Sequence, residues 1–466
     1  MSEFQVFKIC PDYKREGFDF CEIQRDKNNP IDSRGYPLYP FVLPSSHGSS
    51  YTRKINKDLY FKRKQQDGNN PAAIFSQHHH NKQYNELAGT FDDLAEVICY
   101  ILAKNIISPK TGEPIIKTAE YALATYTDEE DVLLRGCITK NIVGENEQLL
   151  NMAEIMNATQ INAKNMDGYL EALQKYCTSK KWILDIEKVK RDLLKNSYYC
   201  WKVANSDNHK NNITFLVKSL PSGERELVVS ELIDNGSAYE LSSPYHSASN
   251  PDKARIEVLL EDDNFSKVNE NGERVFDFPY YPYMHTAFHL NNDKVLVQNT
   301  KIGDKSFSYE YALAGEMLSD DNLLYDISQI EQQFDIDKMI AEIDELYGSG
   351  MRDNPKKLNW PPLLKEYMHA TNAIKSKTMS YIVADYYLQT AYKACIEDID
   401  VSRPTELYKF FSDVMHSMPI QESKQAYDLM FLKIAEAYGV KFDVSKLASL
   451  KFNKDSAELA YQNQPN

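Results

Sequence analysis

In the run VANSDNHKNNITFLV, residues 203–217, an aspartate, a histidine and an asparagine crowd into a short polar segment ahead of β-branched and apolar residues. Asp207 and Asn212 stand five residues apart. The same interval separates the hydroxyl-orienting Asp from the metal-binding Asn in loops that transfer a nucleotide's phosphoryl group. That chemistry asks for little covalent work and for much positioning and charge stabilisation. One carboxylate must orient the attacking hydroxyl, while an amide oxygen and a second carboxylate hold Mg2+ against the phosphates. A lysine must grip the phosphates, and a glutamate must hold the lysine. Asp207 and Asn212 supply the first carboxylate and the amide. Asp234, in the segment LIDNGS (232–237), is placed to be the second carboxylate. Mg2+ takes one or two carboxylates and completes its shell with water and phosphate oxygens.

Such side chains need rigid supports on both sides. The 3.6-residue periodicity predicts a helix over 184–204 that delivers the loop, and the apolar run predicts a strand over 213–219 that leaves it. The turn PSGE (221–224) leads into a return strand, RELVVSELID, which ends at Asp234. Upstream, KDLYFKRK (57–64) reads as a strand, and TFDDLAEVICYILAKNI as a helix capped at Thr90. AEYALATYT (119–127) and VLLRGCITKNI (132–142) read as strands separated by the acidic turn DEED. Beyond Gly144, QLLNMAEIM and MDGYLEALQKYC read as helices, and the chain is again helical from about Asn322. The expected class is α+β: a small strand-rich part with one helix over 1–143, then a larger, mostly helical part over 144–466.

The chain has 466 residues and a formal charge of −15, which argues against a surface that tracks nucleic acid as a whole. Its seven cysteines are scattered with no CxxC pair, as expected of a reduced intracellular chain without a zinc cage. No apolar run approaches the roughly 18 residues a membrane span needs, and the N-terminal segment lacks the apolar stretch of a secretory signal. A cytoplasmic protein without a membrane segment is the expectation.

SDNHKNNITFLV followed by ELIDNGSA resembles the HipA-type serine/threonine kinases, whose catalytic loop reads D-x-H-x-x-N and whose metal-binding Asp lies in a D-N-G-like segment. FDDLAEVICYILAKNI, AEYALATY and RGCITKNI are similar to the N-lobe helix and strands of that family, so the resemblance spans roughly residues 57–240. It implies a protein-kinase-like bilobal fold, ATP and Mg2+ as cofactors, and transfer to a Ser or Thr of a protein substrate. Asp207 would position the acceptor hydroxyl, with His209 bracing the loop, and Asn212 and Asp234 would bind Mg2+. Lys62 would grip the phosphates with Glu96 as its helix partner, and the backbone from Lys140 to Gly144 would meet adenine. The family's covering loop can carry an autophosphorylated serine, a part open here to Ser46, Ser49 or Ser50. Many such kinases are toxins restrained by a DNA-binding antitoxin. The sequence departs from kinase pattern in lacking a G-x-G-x-x-G loop, where only PSSHGSSYTRK (44–54) stands.

Other readings compete at each position. Asp, Asn and His between a helix and a strand make an ordinary loop, and Asp234 could cap an Asn-Gly turn. Lys62 lies in a charged run that suits a solvated face. His78, His79 and His80 read as a surface loop, FPYYPYMHTAFHL (278–290) as packing, and Cys200 beside Trp201 as buried and inert. A small-molecule kinase of the aminoglycoside-phosphotransferase kind shares the Asp–Asn interval but has His-Gly before the Asp, where this chain has Asn205 and Ser206. A nucleotide-binding pseudokinase or scaffold would suit the missing glycine-rich loop.

Overall fold

The computed structural model describes residues 95–127, 133–163, 165–205, 208–236, 238–240, 309–352, 364–397, 399 and 401–453, together with short strands within 4–6, 50–64 and 266–306. Its elements are mixed but mostly helical, and every sheet is small and antiparallel. Within 266–306 lie three antiparallel strand pairs, Ser266–Val268 with Arg274–Phe276, Phe288–Asn291 with Lys294–Val297, and Lys301–Ile302 with Lys305–Ser306. No helix among the described residues is long and apolar enough to cross a membrane.

The first sheet has five strands in the order β1-β4-β5-β3-β2. These are β1 (Phe4–Val6), β2 (Ser50–Lys54), β3 (Leu59–Lys64), β4 (Tyr121–Thr127) and β5 (Leu133–Lys140). The helix through 95–104 (α1) enters the chain between β3 and β4. Its apolar residues are buried, and they join one core with Tyr121, Cys137 and the helices that follow residue 309.

A second sheet, β6-β7-β8, combines β6 (Gln148–Asn151) with the hairpin β7 (Thr214–Ser219) and β8 (Arg225–Val229). QLLNMAEIM, expected to be helical throughout, therefore divides. QLLN pairs with β7 as a strand, and the helix α2 (Met152–Thr159) starts only where Asn151 caps it in a capping box with Glu154. Four residues of apolar pattern cannot distinguish strand from helix, and the cap decided the boundary. The hairpin turn depends on Gly223 at φ +85°, which a residue with a Cβ adopts only with strain. Helices α3 (Met166–Lys180) and α4 (Ile186–Lys202), capped by Asn165 and Asp185, cover this sheet and form a second apolar cluster with it.

The remaining helices are α5 (Tyr309–Ser319), α6 (Asp321–Gln333), α7 (Ile336–Arg352), α8 (Leu364–Cys395), α9 (Pro404–Met415), α10 (Lys424–Tyr438) and α11 (Val444–Ala448). The 32-residue α8 runs through the middle of this group. The C-terminal half of α4 packs against it, so the loop at residue 205 leaves from a fixed support.

Candidate active site

Helix α4 ends through a left-handed residue, Ala204 at φ 51°, and the Asn205 amide donates to the Cys200 carbonyl at 2.8 Å. This closure satisfies an orphan carbonyl of the last turn and turns the chain away from the helix axis. Ser206 and Asp207 lie outside the described residues, so the proposed hydroxyl-orienting carboxylate has no described position. His209 holds the next turn. Its carbonyl accepts from the Asn212 amide at 2.8 Å and the Ile213 amide at 3.1 Å, and its Nδ1 accepts from the Asn211 amide at 3.3 Å. The Lys210 and Ile213 carbonyls accept from the amides of Ala153 and Met152, at 3.1 and 2.9 Å, and so moor the loop to α2. Asn212 is half-buried at the mouth of β7.

The same end of the hairpin carries Asp234. Thr214 and Ser230 meet through their hydroxyls at 2.5 Å, Asn212 lies two residues before the first, and Asp234 lies four after the second. Leu232 then joins the segment ahead of β4, donating to the Lys117 carbonyl at 2.8 Å and accepting from the Ala119 amide at 2.9 Å. Asp234 itself stands at φ 60°. The left-handed region costs an L-residue roughly 1–2 kcal/mol, and Asp and Asn are the non-glycine types that visit it most readily. Its backbone is held on both sides: the amide donates to the Tyr121 hydroxyl at 3.4 Å, and the carbonyl accepts from Asn205 Nδ2 at 3.5 Å. An Asn-Gly turn would place the left-handed residue at 235 or 236. Here it is the aspartate, and its side chain remains half-buried.

Glu96, expected as the partner of Lys62, is 1% exposed and accepts from the Asn235 amide at 2.8 Å. A buried carboxylate needs donors, and one of them is the backbone beside Asp234. The Lys62 side chain lies outside the described residues. Its backbone stands opposite Cys137 in the β3–β5 ladder, and opposite residues of an antiparallel pair share a face. Cys137 is fully buried, so the register puts position 62 on the core side of the sheet.

The chain from Lys140 to Gly144 connects β5 to the second sheet, as a nucleotide-binding hinge must. Most of its backbone groups are already engaged. The Lys140 amide donates to the Glu120 carbonyl at 3.2 Å, and its ammonium lies 3.9 Å from the Glu120 carboxylate. The Asn141 side chain both accepts from the Val143 amide and donates to its carbonyl, at 3.2 and 3.1 Å. The Gly144 amide donates to Glu147 Oε2 at 2.8 Å. Among the described residues, the amide and carbonyl of Ile142 make no hydrogen bond. Burial, with the Glu120 carboxylate next, raises the pKa of neighbouring Glu231 against the lowering effect of Lys117, Lys140 and Lys218.

Ser46, Ser49, the histidines at 78–80 and most of 278–290 lie outside the described residues, and Ser50 opens β2. Cys200 is buried, and burial pushes its thiol up to about 12. Among the described residues no three His, Cys, Asp or Glu side chains gather as a metal site. Asn212 and Asp234 are half-buried residues toward one end of the β7–β8 hairpin, and their side chains carry the oxygen donors that a cation with few protein ligands takes.

Three residues of this region had no signal as site residues in the sequence: Asn205, Tyr121 and Asn235. Asn205 read as the residue that fails a rival motif, and Asn235 as half of a turn dipeptide. Their contacts reach 29 to 139 residues along the chain, which no local spacing announces.

No protein-family model and no curated protein matches the sequence. Among solved structures, the proinflammatory kinase CtkA of Helicobacter pylori is similar at a TM-score of 0.40 and 14% identity, over 71% of this chain and 87% of that one. A likeness of that size assigns neither fold nor activity.

Proposed function

We propose that the chain is an ATP- and Mg2+-dependent kinase with a protein-kinase-like bilobal fold, transferring a phosphoryl group to a serine or threonine of a protein. The observation that carries this reading is the presentation of Asp234. A half-buried aspartate sits on a left-handed backbone held by two other elements, at the hairpin end that also bears Asn212. A left-handed residue held by a buried side chain from each of two other elements is the kind of strained backbone that clusters at functional sites.

When bound, Mg2+ would neutralise charge developing on the phosphates. Asp234 and Asn212 would hold it, and Asp207 would orient the acceptor hydroxyl and take its proton. His209 keeps the loop's turn closed, as the resemblance implies. Lys62 would grip the phosphates from the core side of the first sheet. The backbone of the Lys140–Gly144 connection would meet the adenine edge. A serine of 46, 49 or 50 is the first acceptor to examine. The toxin role and a DNA-binding antitoxin partner belong to the same proposal and rest on the family resemblance alone.

Intact-mass measurement after incubation with ATP and Mg2+ and a candidate acceptor protein tests the reading. A phosphoryl adduct on the chain or the acceptor, absent with Asp207→Asn and with Asp234→Asn, is expected. An adduct that survives in both variants would overturn the assignment.

A further inference from the structure

Asn205 stands two residues before Asp207 and is 2% exposed. An asparagine at a helix end is ordinary when its backbone closes the last turn, and the bond to Cys200 does that much. The side chain does something else. Its amide nitrogen donates to Asn235 Oδ1 at 3.1 Å and reaches the Asp234 carbonyl at 3.5 Å. One amide thus directs its donors at two consecutive residues, across the peptide that carries the left-handed aspartate.

We infer that Asn205 is a positioning residue for Asp234, an inference that rests on the metal and nucleotide reading above. The physical chain is short. Helix α4 fixes the Asn205 backbone, the Asn205 side chain fixes the 234–235 peptide, and Glu96 holds the same peptide from the α1 side through the Asn235 amide. Asp207 follows on the same strand of chain that Asn205 anchors. An outer-shell partner of this kind sets the aim of a ligand that it does not replace.

Mn2+ binding in the presence of a non-hydrolysable ATP analogue, followed by electron paramagnetic resonance, tests this without any turnover. Asn205→Asp keeps the size but removes the donors and sets an oxygen against the Asp234 carbonyl. Asn205→Ser is the second variant. Both should raise the Mn2+ dissociation constant about 10–100-fold while leaving metal-free nucleotide affinity close to wild type; Asn205→Asp, which buries a charge, should melt lower than Asn205→Ser. Wild-type Mn2+ affinity in a folded Asn205→Asp would overturn the inference and leave the kinase reading standing. So would failure of both variants to fold, since Asn205 would then be a fold residue. A wild type that binds neither Mn2+ nor nucleotide would overturn both.

Discussion

Two buried polar groups flank the end of helix α4, and they differ in what they hold. On the helical side, Lys202 is fully buried, with its ammonium 2.6 Å from Glu331, bonded to the Ser376 hydroxyl, and 5.2 Å from the centre of the Phe334 ring. Tyr198 donates to the same Glu331, and Lys375 donates to the Trp201 carbonyl from 4.7 Å over the Trp201 ring. Burial lowers the Lys202 pKa against the raising effect of Glu331. On the loop side, Asn205 and Tyr121 bond the Asp234 backbone and Glu96 the Asn235 amide, and Asp234 is a half-buried residue. The first group turns its charges toward its own members. The second directs its hydrogen bonds at the backbone of residues 234 and 235. Buried polarity alone marks neither a site nor a staple; the two groups differ in whether their bonds end on charges or on a backbone.

The largest effect should come from opening the closed group. Glu331→Ala leaves Lys202 buried without its carboxylate and should cost about 3–5 kcal/mol of stability, read from the denaturant midpoint. Replacing Lys202 and Glu331 together by Met and Leu should recover most of that loss. If the single change costs no more than a surface mutation, the helical cluster is not the closed staple described here.

Next is the bond between α1 and the aspartate segment. Glu96→Ala leaves the buried Asn235 amide without this acceptor and should cost roughly 1–3 kcal/mol, whereas Glu96→Gln keeps an oxygen there and should lose less. Equal losses for Ala and Gln would mean that the carboxylate's charge, and not its acceptor role toward Asn235, matters most.

The smallest effect concerns Cys200, on the closed side. Burial holds its thiol near 12 in the folded chain against an ordinary 9.0. Its folded pKa is raised, so its contribution to stability is complete below about 9 and is lost as the pH climbs toward 12. Native protein at pH 8 should leave Cys200 unalkylated by iodoacetamide in peptide mass mapping, and denatured protein should not. Rapid alkylation of the native chain would show that this side is not closed.

The sequence already showed a good part of both regions. The periodicity of DIEKVKRDLLKNSYYCWK and the apolar run TFLV are strong enough to place α4 and β7, because each is long and buried along one face. The order Asn212 then Asp234 followed from the hairpin between them. QLLN was misread because four apolar-patterned residues obey either period until a cap intervenes. The Glu96 bond to Asn235 was invisible for a different reason. An acid in an apolar stripe announces that it needs a partner, but a backbone amide 139 residues away carries no residue type by which to find it. Asn205 is alike: a helix-end asparagine looks the same whether or not its side chain reaches across to another segment.

The most direct test of Asp234 as the presented ligand is thermal melting of the wild type and Asp234→Asn, each with and without ATP and Mg2+. Asparagine fits the left-handed backbone as well as aspartate, so the ligand-free melting temperatures should agree. Wild type at 100 times the dissociation constant should gain about 2.7 kcal/mol from the ligand, seen as an upward shift that requires Mg2+. Asp234→Asn should lose the Mg2+-dependent part of that shift. An equal shift in both proteins, or none in the wild type, would contradict the assignment of Asp234 to the metal.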